Sequence, residues 1–151
     1  MAAGAVQPTV HASAVWVDGA GVLIRGPSGC GKSSLLLALL IAAGSTARLV
    51  ADDRVLLSAE GDRLRAAAPP EIAGWLEIRG QGLVTVPYLS PVSIDLVVDF
   101  EPLERCARMP DDSEKTAWIE GVSVRRLALP MGQADGWIRV RAALAFGPAI
   151  V

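Results

Sequence analysis

Apolar residues occur along the chain in short runs separated by glycine, proline and charged residues. Runs of this kind, bounded by turn residues, are typical of β-strands. We expect strands at 10–17, 22–25, 48–51, 55–58, 64–67, 76–79, 94–100 and 122–129. Short turns at 18–21 and 60–62 predict that the runs on either side of each turn pair as hairpins. The run at 94–100 predicts a central strand that is covered on both faces.

Two segments predict helices instead. Residues 32–43 are apolar on nearly every helical face, which predicts a buried helix that ends at Gly44. Residues 137–146 are rich in alanine and predict a second helix, whereas the polar segment 101–115 predicts a surface loop with a helical turn. The strand at 76–79 is expected to continue through 83–86 after a bend. One helix beneath many strands predicts an α/β domain with a mixed, strand-rich sheet.

A glycine-rich loop, GPSGCGKS at 26–33, connects the predicted strand at 22–25 to the predicted helix. It fits the P-loop pattern G-x-x-x-x-G-K-[ST], in which backbone N–H groups and a helix N-terminus surround a phosphate group. Lys32 is expected to reach the β- and γ-phosphates, and the Ser33 hydroxyl to bind Mg²⁺. The predicted nucleotide-binding residues are Gly26, Pro27, Ser28, Gly29, Cys30, Gly31, Lys32, Ser33 and Ser34.

Carboxylates beside a P-loop bind the metal ion and orient the attacking group. Three candidates follow or lie in predicted strands: the pair Asp52 and Asp53, then Glu77, then Asp99. Asp99 fits the pattern of a metal-binding carboxylate at the end of a strand, while Asp52 and Asp53 form the tighter cluster. The pair is also compatible with a solvated turn. The spacing of the residues leaves these alternatives open.

The composition narrows the classes of partner. The 151 residues are 52% hydrophobic and 20% charged, which predicts one compact soluble domain over 1–151. A net charge of −2 argues against a nucleic-acid partner. The longest apolar run, 35–43, is shorter than the roughly 20 residues that cross a bilayer, so no membrane association is expected. Two cysteines and one histidine favour neither a disulfide framework nor a zinc site, and predict a cytoplasmic protein.

Four features follow one another along the chain: His11, the loop GPSGCGKS, the string RLVADDRV at 48–55 and the string LEIRGQG at 76–82. Their order resembles that seen in the HPr kinase/phosphorylase family. The last string resembles the family signature E-I-R-G-x-G, and this combination is far more specific than a P-loop alone. From about residue 10 to 129 the chain resembles the C-terminal catalytic domain, as a short form of the enzyme. The resemblance implies the P-loop fold that this family shares with phosphoenolpyruvate carboxykinases.

The resemblance also implies catalytic roles. Asp53 would take the proton from the target serine and return it in the reverse reaction, and His11 would lie beside Asp53 and help to set its protonation. Lys32 would contact the transferring phosphoryl group. Arg108 aligns with a catalytic arginine of the family. For the metal, the resemblance implies Mg²⁺ held by Ser33, Glu77 and Asp52, with Asp99 left as a structural strand end.

The function implied is an ATP-dependent protein serine kinase that acts on HPr or an HPr-like carrier of the phosphotransferase system. Two alternatives are a nucleotide-sensing module without transfer and a small-molecule kinase. The family's arginine-containing loop after the last strand is replaced here by LPMGQADG at 129–136, with no arginine before Arg139. We therefore expect phosphorolysis to be weak. The resemblance also implies a possible homo-oligomer, a hexamer in the family.

Overall fold

A computed structural model describes residues 8–147 of the chain. Residues 1–7 and 148–151, and with them both ends of the domain predicted over 1–151, lie outside the described residues. The described strands and α-helices are β1 (Ser13–Val17), β2 (Ala20–Arg25), α1 (Lys32–Ala43), β3 (Ala47–Ala51), β4 (Leu56–Glu60), β5 (Arg63–Ala67), β6 (Trp75–Ile78), β7 (Gly82–Thr85), β8 (Val92–Ser93), β9 (Leu96–Glu101), β10 (Thr116–Ile119), β11 (Val122–Pro130) and α2 (Gly136–Ala145).

A six-stranded mixed sheet forms the centre of the molecule, in the order β10-β11-β9-β2-β1-β3. Strands β2, β9 and β11 run parallel, and β1, β3 and β10 pair antiparallel with their neighbours. The predicted α/β fold with a mixed, strand-rich sheet is therefore confirmed. In the parallel strands Arg25 lies opposite Asp99, and Asp99 lies opposite Ala128. The carboxyl ends of these strands thus meet at one edge, where α/β proteins place their ligands.

Strand β9 has the central position that its apolar run predicts. Leu96, Val97 and Val98 are fully buried, and alternate residues enter different cores on the two faces of the sheet. Val97 packs in the core shared with the small sheet β4-β5-β8, whereas Leu96 and Val98 pack in the core beneath α1. Burial on both faces explains why the sequence of this strand shows no clean alternation.

Helix α1 begins at Lys32 and ends at Ala43, followed by Gly44, as the sequence predicts. Its burial is only one-sided, so the prediction of a helix buried on nearly every face is wrong. Leu35, Leu36 and Leu39 pack in the core, whereas Ile41 is 76% exposed. An apolar composition gives no information about which face the sheet covers, and α1 residues that point away from the core, such as Ile41, lie in solvent.

The hairpins β1–β2 and β4–β5 form as predicted. Strand β7 does not continue β6 but turns back and pairs with it antiparallel, through a turn that includes Gly80. Strands β8 and β10 have no counterpart among the predicted elements. Neither helix within residues 8–147 has the length and apolarity that a bilayer crossing requires.

Candidate active site

The glycine-rich loop joins the end of β2 to the start of α1, at the carboxyl edge of the central sheet. Gly31, directly before the helix, has φ 111°, a conformation that side chains with a Cβ rarely adopt. Gly26 is required for a different reason. A Cβ placed on it would lie 2.6 Å from the Cys30 sulfur and 2.9 Å from Phe100 Cβ. The tight loop thus directs the N-terminus of α1 towards the position of an anion.

Lys32 is buried at the base of this loop, with 6% exposure. Its ammonium group donates to the carbonyl oxygens of Gly26 at 2.7 Å and Pro27 at 3.0 Å. A buried cation needs such partners, because burial without them is costly. The loop therefore holds the positive charge of Lys32 beside the N-terminus of α1. Phosphate oxygens bound there would contact the ammonium group and the N–H groups of the helix N-terminus.

Asp52 and Asp53 follow β3 directly and face the loop across the cleft. Asp53 has φ 68°, in the left-handed region that non-glycine residues seldom occupy. The hydroxyl of Ser13 on β1 holds both residues: it donates to Asp52 Oδ1 at 3.1 Å and accepts the Asp53 N–H at 3.2 Å. Ser13 is 1% exposed. Strained backbone at a functional site persists when surrounding bonds fix it.

Asp52 connects the pair to the P-loop and to β6. Its Oδ1 accepts the Ser33 hydroxyl at 3.3 Å, and its carboxylate also accepts the backbone N–H of Glu77. Burial raises the pKa of Asp52, the hydrogen bonds from Ser13, Ser33 and Glu77 act in the opposite direction, and the nearby Asp53 charge raises it further. The net effect is a raised pKa. A cation close to Asp52 would favour its charged form.

Asp53 forms a close pair with His11, whose Nε2 lies 2.6 Å from Asp53 Oδ1. The Asp53 side chain is 66% exposed and that of His11 is 49% exposed. The pair therefore opens towards solvent and is accessible to a second molecule. A carboxylate in contact with an imidazole is a suitable group for accepting a hydroxyl proton.

These groups surround a cleft of about 520 Å³. Its lining includes most of the site residues that the sequence predicts: His11, Ser28, Gly29, Gly31, Lys32, Ser33, Ser34, Asp52, Asp53 and Glu77. Arg79 also lines the cleft and is not among the predicted site residues. Arg79 lies two residues after Glu77 in the string that resembles the family signature. Its place in that string is the feature of the sequence that could have identified it as a site residue.

Four of the predicted residues lie outside the lining of the cleft. Gly26 and Pro27 act through their carbonyl oxygens, which bind Lys32. Cys30 is 8% exposed and packs in the core beneath α1. Arg108 lines a separate cavity. Its catalytic role, implied by the resemblance, stays a prediction.

Asp99, the other carboxylate that fits a metal-binding pattern, is committed elsewhere. It accepts two hydrogen bonds from Arg25, at 2.7 and 2.9 Å, and one from Arg126 at 2.6 Å. Burial raises the pKa of Asp99, but the bonds and charges of the two arginines outweigh burial and leave the pKa lowered. Asp99 therefore fastens β2, β9 and β11 together below the P-loop.

The donors in the cleft fit Mg²⁺ in the way a P-loop uses it. Residues 8–147 contain no group of three or more histidine, cysteine and acidic side chains that would hold a metal alone. Mg²⁺ commonly binds one or two carboxylates and completes its shell with water and phosphate oxygens. Asp52 and Ser33 already lie within hydrogen-bonding distance of each other, and Glu77 lines the same cleft. All three offer the hard oxygen ligands that Mg²⁺ prefers.

Comparisons with known proteins show the family to which the chain belongs. Residues 3–140 match the family model described as the HPr Serine kinase C-terminal domain. The chain is 43% identical over 138 residues to the HPr kinase/phosphorylase of Caldanaerobacter subterraneus, covering 84% of this chain and 44% of that protein. The corresponding enzyme of Clostridium acetobutylicum is 35% identical over 137 residues, with the same coverage. The chain thus spans less than half the length of these relatives.

A solved structure gives the same result for the fold. The HPr(Ser) kinase/phosphatase from Coxiella burnetii superposes with a TM-score of 0.71 at 27% identity, covering 92% of this chain and 99% of that one. The sequence and the fold lead to one conclusion. The chain belongs to the family of HPr serine kinase C-terminal domains.

Proposed function

We propose that this chain is a single catalytic domain over 1–151 that transfers the γ-phosphoryl group of ATP to a serine of HPr or an HPr-like phosphocarrier. The cytoplasm, where ATP is available, is the proposed compartment. One observation carries the proposal: the exposed pair of Asp53 and His11 shares a cleft with Lys32. The names of the relatives, HPr kinase/phosphorylase, support the same activity.

The residues of the cleft divide the work of phosphoryl transfer. The loop N–H groups and Lys32 would bind the β- and γ-phosphates and stabilise charge as the terminal phosphoryl group moves. Asp53 would accept the proton of the attacking serine hydroxyl, while His11 holds the carboxylate in position at 2.6 Å. The serine oxygen then bonds to phosphorus as the bond to the β-phosphate oxygen breaks, with ADP as the leaving group.

Mg²⁺ is the proposed cofactor, held by Ser33, Asp52 and Glu77. When bound, it neutralises charge on the phosphate oxygens. Asp52 fits this role better than Asp53, because its carboxylate touches the Ser33 hydroxyl and the Glu77 backbone. The two adjacent carboxylates therefore serve different groups, one the metal ion and the other the incoming hydroxyl.

We further propose that transfer to the carrier predominates over phosphorolysis. A second phosphate in line with a phosphoserine requires additional positive charge. Arg139 and Arg141, which follow the loop that lacks the family's arginines, are paired with Asp135 at 3.1 Å and Asp18 at 2.9 Å. Neither arginine lines the cleft. Arg79, which forms no ion pair within residues 8–147, is the one arginine in that lining, so a single guanidinium group is available there to offset the two charges of a second phosphate.

The proposal is tested by mixing the purified chain with γ-labelled ATP, Mg²⁺ and HPr, then measuring labelled phosphoserine by mass spectrometry. HPr with its acceptor serine replaced by alanine is the control. We expect transfer that requires Mg²⁺ and stops with the control carrier. ATP binding without transfer to any HPr-type carrier would favour the sensing module instead.

A further inference from the structure

A second cavity, of about 210 Å³, lies beside β11 and α2 under the segment that follows β9. It shares no lining residue with the nucleotide cleft. Its lining is strongly basic and contains a single acidic side chain, Glu114. The basic residues are Arg105, Arg108, Lys115, Arg125, Arg126 and Arg139.

Half of this positive charge is matched by carboxylates nearby. Arg126 binds Asp99 at 2.6 Å and Glu101 at 3.3 Å, and Arg139 binds Asp135 at 3.1 Å. Lys115 lies 3.8 Å from the fully exposed Asp112, an ion pair of little strength. These ion pairs hold three of the basic side chains in the lining of the cavity. The other three basic side chains have no carboxylate partner among the described residues.

Three arginines carry that remaining charge. Within residues 8–147, Arg105 and Arg108 form no ion pair and no side-chain hydrogen bond. Arg125 has no carboxylate partner there either, and its Nη1 donates to the Ala143 carbonyl at 2.6 Å. That bond fixes the guanidinium against α2. Glu114, the one carboxylate in the lining, cannot balance three guanidinium groups.

We infer that this cavity binds a small dianion of the phosphate type, either free phosphate or the monoester of a small metabolite. Arginine forks match the oxygen geometry of phosphate and form charge-assisted hydrogen bonds with it. The volume is below the range of about 300–1,000 Å³ that holds larger ligands, so it suits a compact anion. Since the cavity is separate from the cleft, this site does not depend on phosphoryl transfer.

The net charge of the chain favours a small ligand over a nucleic acid. The chain carries −2 overall, so it lacks the excess of basic residues that is typical of nucleic-acid-binding proteins. Nucleic-acid binding surfaces present a broad basic stripe. The arginines here come from three segments, 105–110, β11 and α2, and line one cavity, with Arg105 and Arg108 reaching the solvent.

The test measures binding of inorganic phosphate and of glycerol 3-phosphate by isothermal titration calorimetry. The full chain carries Lys32→Ala throughout, so that phosphate at the P-loop does not contribute and nucleotide binding is not needed. We expect at least one of the two anions to bind, and its affinity to fall with added salt. The anion that binds identifies the source of the phosphate group.

In the same background, Arg105→Gln with Arg108→Gln is expected to weaken binding at least about tenfold, because each lost charge-assisted hydrogen bond contributes substantially. The matched control is Arg63→Gln with Arg65→Gln on β5, which removes the same charge outside the cavity. It should change affinity less than about twofold, since distant surface charges are screened. Binding of neither anion, or equal losses in both double variants, would overturn the inference.

Discussion

Replacing Ser13 by alanine is the most informative single change in the candidate active site. Its hydroxyl bonds both Asp52, at 3.1 Å, and the Asp53 N–H, at 3.2 Å. Ser13 does not line the cleft, so the substitution removes no contact to a substrate. Any effect on transfer must therefore act through the position of the two carboxylates.

The structure sets the expected magnitude. Losing the acceptor of the Asp53 N–H and one bond to a carboxylate costs about 1–3 kcal/mol of unfolding free energy. The thermal midpoint should fall by about 2–4 °C for each kcal/mol. A shift of the carboxylates by even about 1 Å can reduce turnover about 10²-fold. We expect a reduction in kcat of about 10- to 100-fold, with a smaller effect on the KM for ATP.

The pH dependence supplies a second readout. The bond from Ser13 lowers the pKa of Asp52 against burial, so its loss raises that pKa further. A carboxyl group whose pKa is higher in the folded than in the unfolded protein stabilises the fold fully below the ordinary pKa of 3.8. That stabilisation is lost as the pH rises through the pKa of the group in the folded protein. The cost of Ser13→Ala should therefore be greater at pH 7 than at pH 3. The acidic limb of Mg²⁺-dependent nucleotide binding should move to higher pH.

Ser90→Ala is the matched control. The Ser90 hydroxyl also accepts a backbone N–H, that of Ala68 at 2.9 Å, but Ser90 lies outside the cleft. It should lower the thermal midpoint without changing kcat or the pH profile. If Ser13→Ala keeps full kcat while losing stability, or if both variants lose kcat equally, the positioning role of Ser13 is refuted.

Three further predictions concern charges around the loop. Lys32→Ala should abolish transfer and weaken ATP binding, as measured by calorimetry, because it removes the charge at the loop. Asp52→Asn should raise the thermal midpoint at pH 7 but not below pH 3.8, since ionising this raised-pKa group destabilises the fold, and should weaken Mg²⁺-dependent nucleotide binding. Asp99→Asn should cost about 3 kcal/mol at pH 7 by leaving Arg25 and Arg126 without their carboxylate. Because the pKa of Asp99 is lowered, that loss should fade below pH 3.8 in urea unfolding.

The sequence predicts the structure correctly where an element is determined by residues that are close together along the chain. The loop and the bounds of α1 follow from glycine positions and the P-loop pattern, and both agree with the structure. The β1–β2 hairpin follows from a turn between two apolar runs. By contrast, β7 turns back onto β6, so that Leu76 and Val84 both pack in the core beneath α1, and a bend at Gly80 does not specify this packing.

Long-range contacts account for what the sequence could not predict at the site. Asp99 pairs with Arg25, 74 residues away, and with Arg126, contacts that the pattern of residues does not reveal; only the resemblance left Asp99 as a structural strand end. Ser13 is a small polar residue in an apolar strand, and its function depends on β3 lying beside β1. The resemblance placed His11 next to Asp53, which periodicity alone does not do.

The central claim is that Asp53 accepts the serine proton while the loop and Asp52 bind the nucleotide. Asp53→Asn tests it most directly when Mg²⁺–ATP affinity and the rate of transfer to HPr are measured on the same preparation. We predict nearly unchanged affinity and a loss of about 10²–10⁴-fold in rate, the usual contribution of a general base. An active Asp53→Asn enzyme beside an inactive Asp52→Asn enzyme would contradict the assignment.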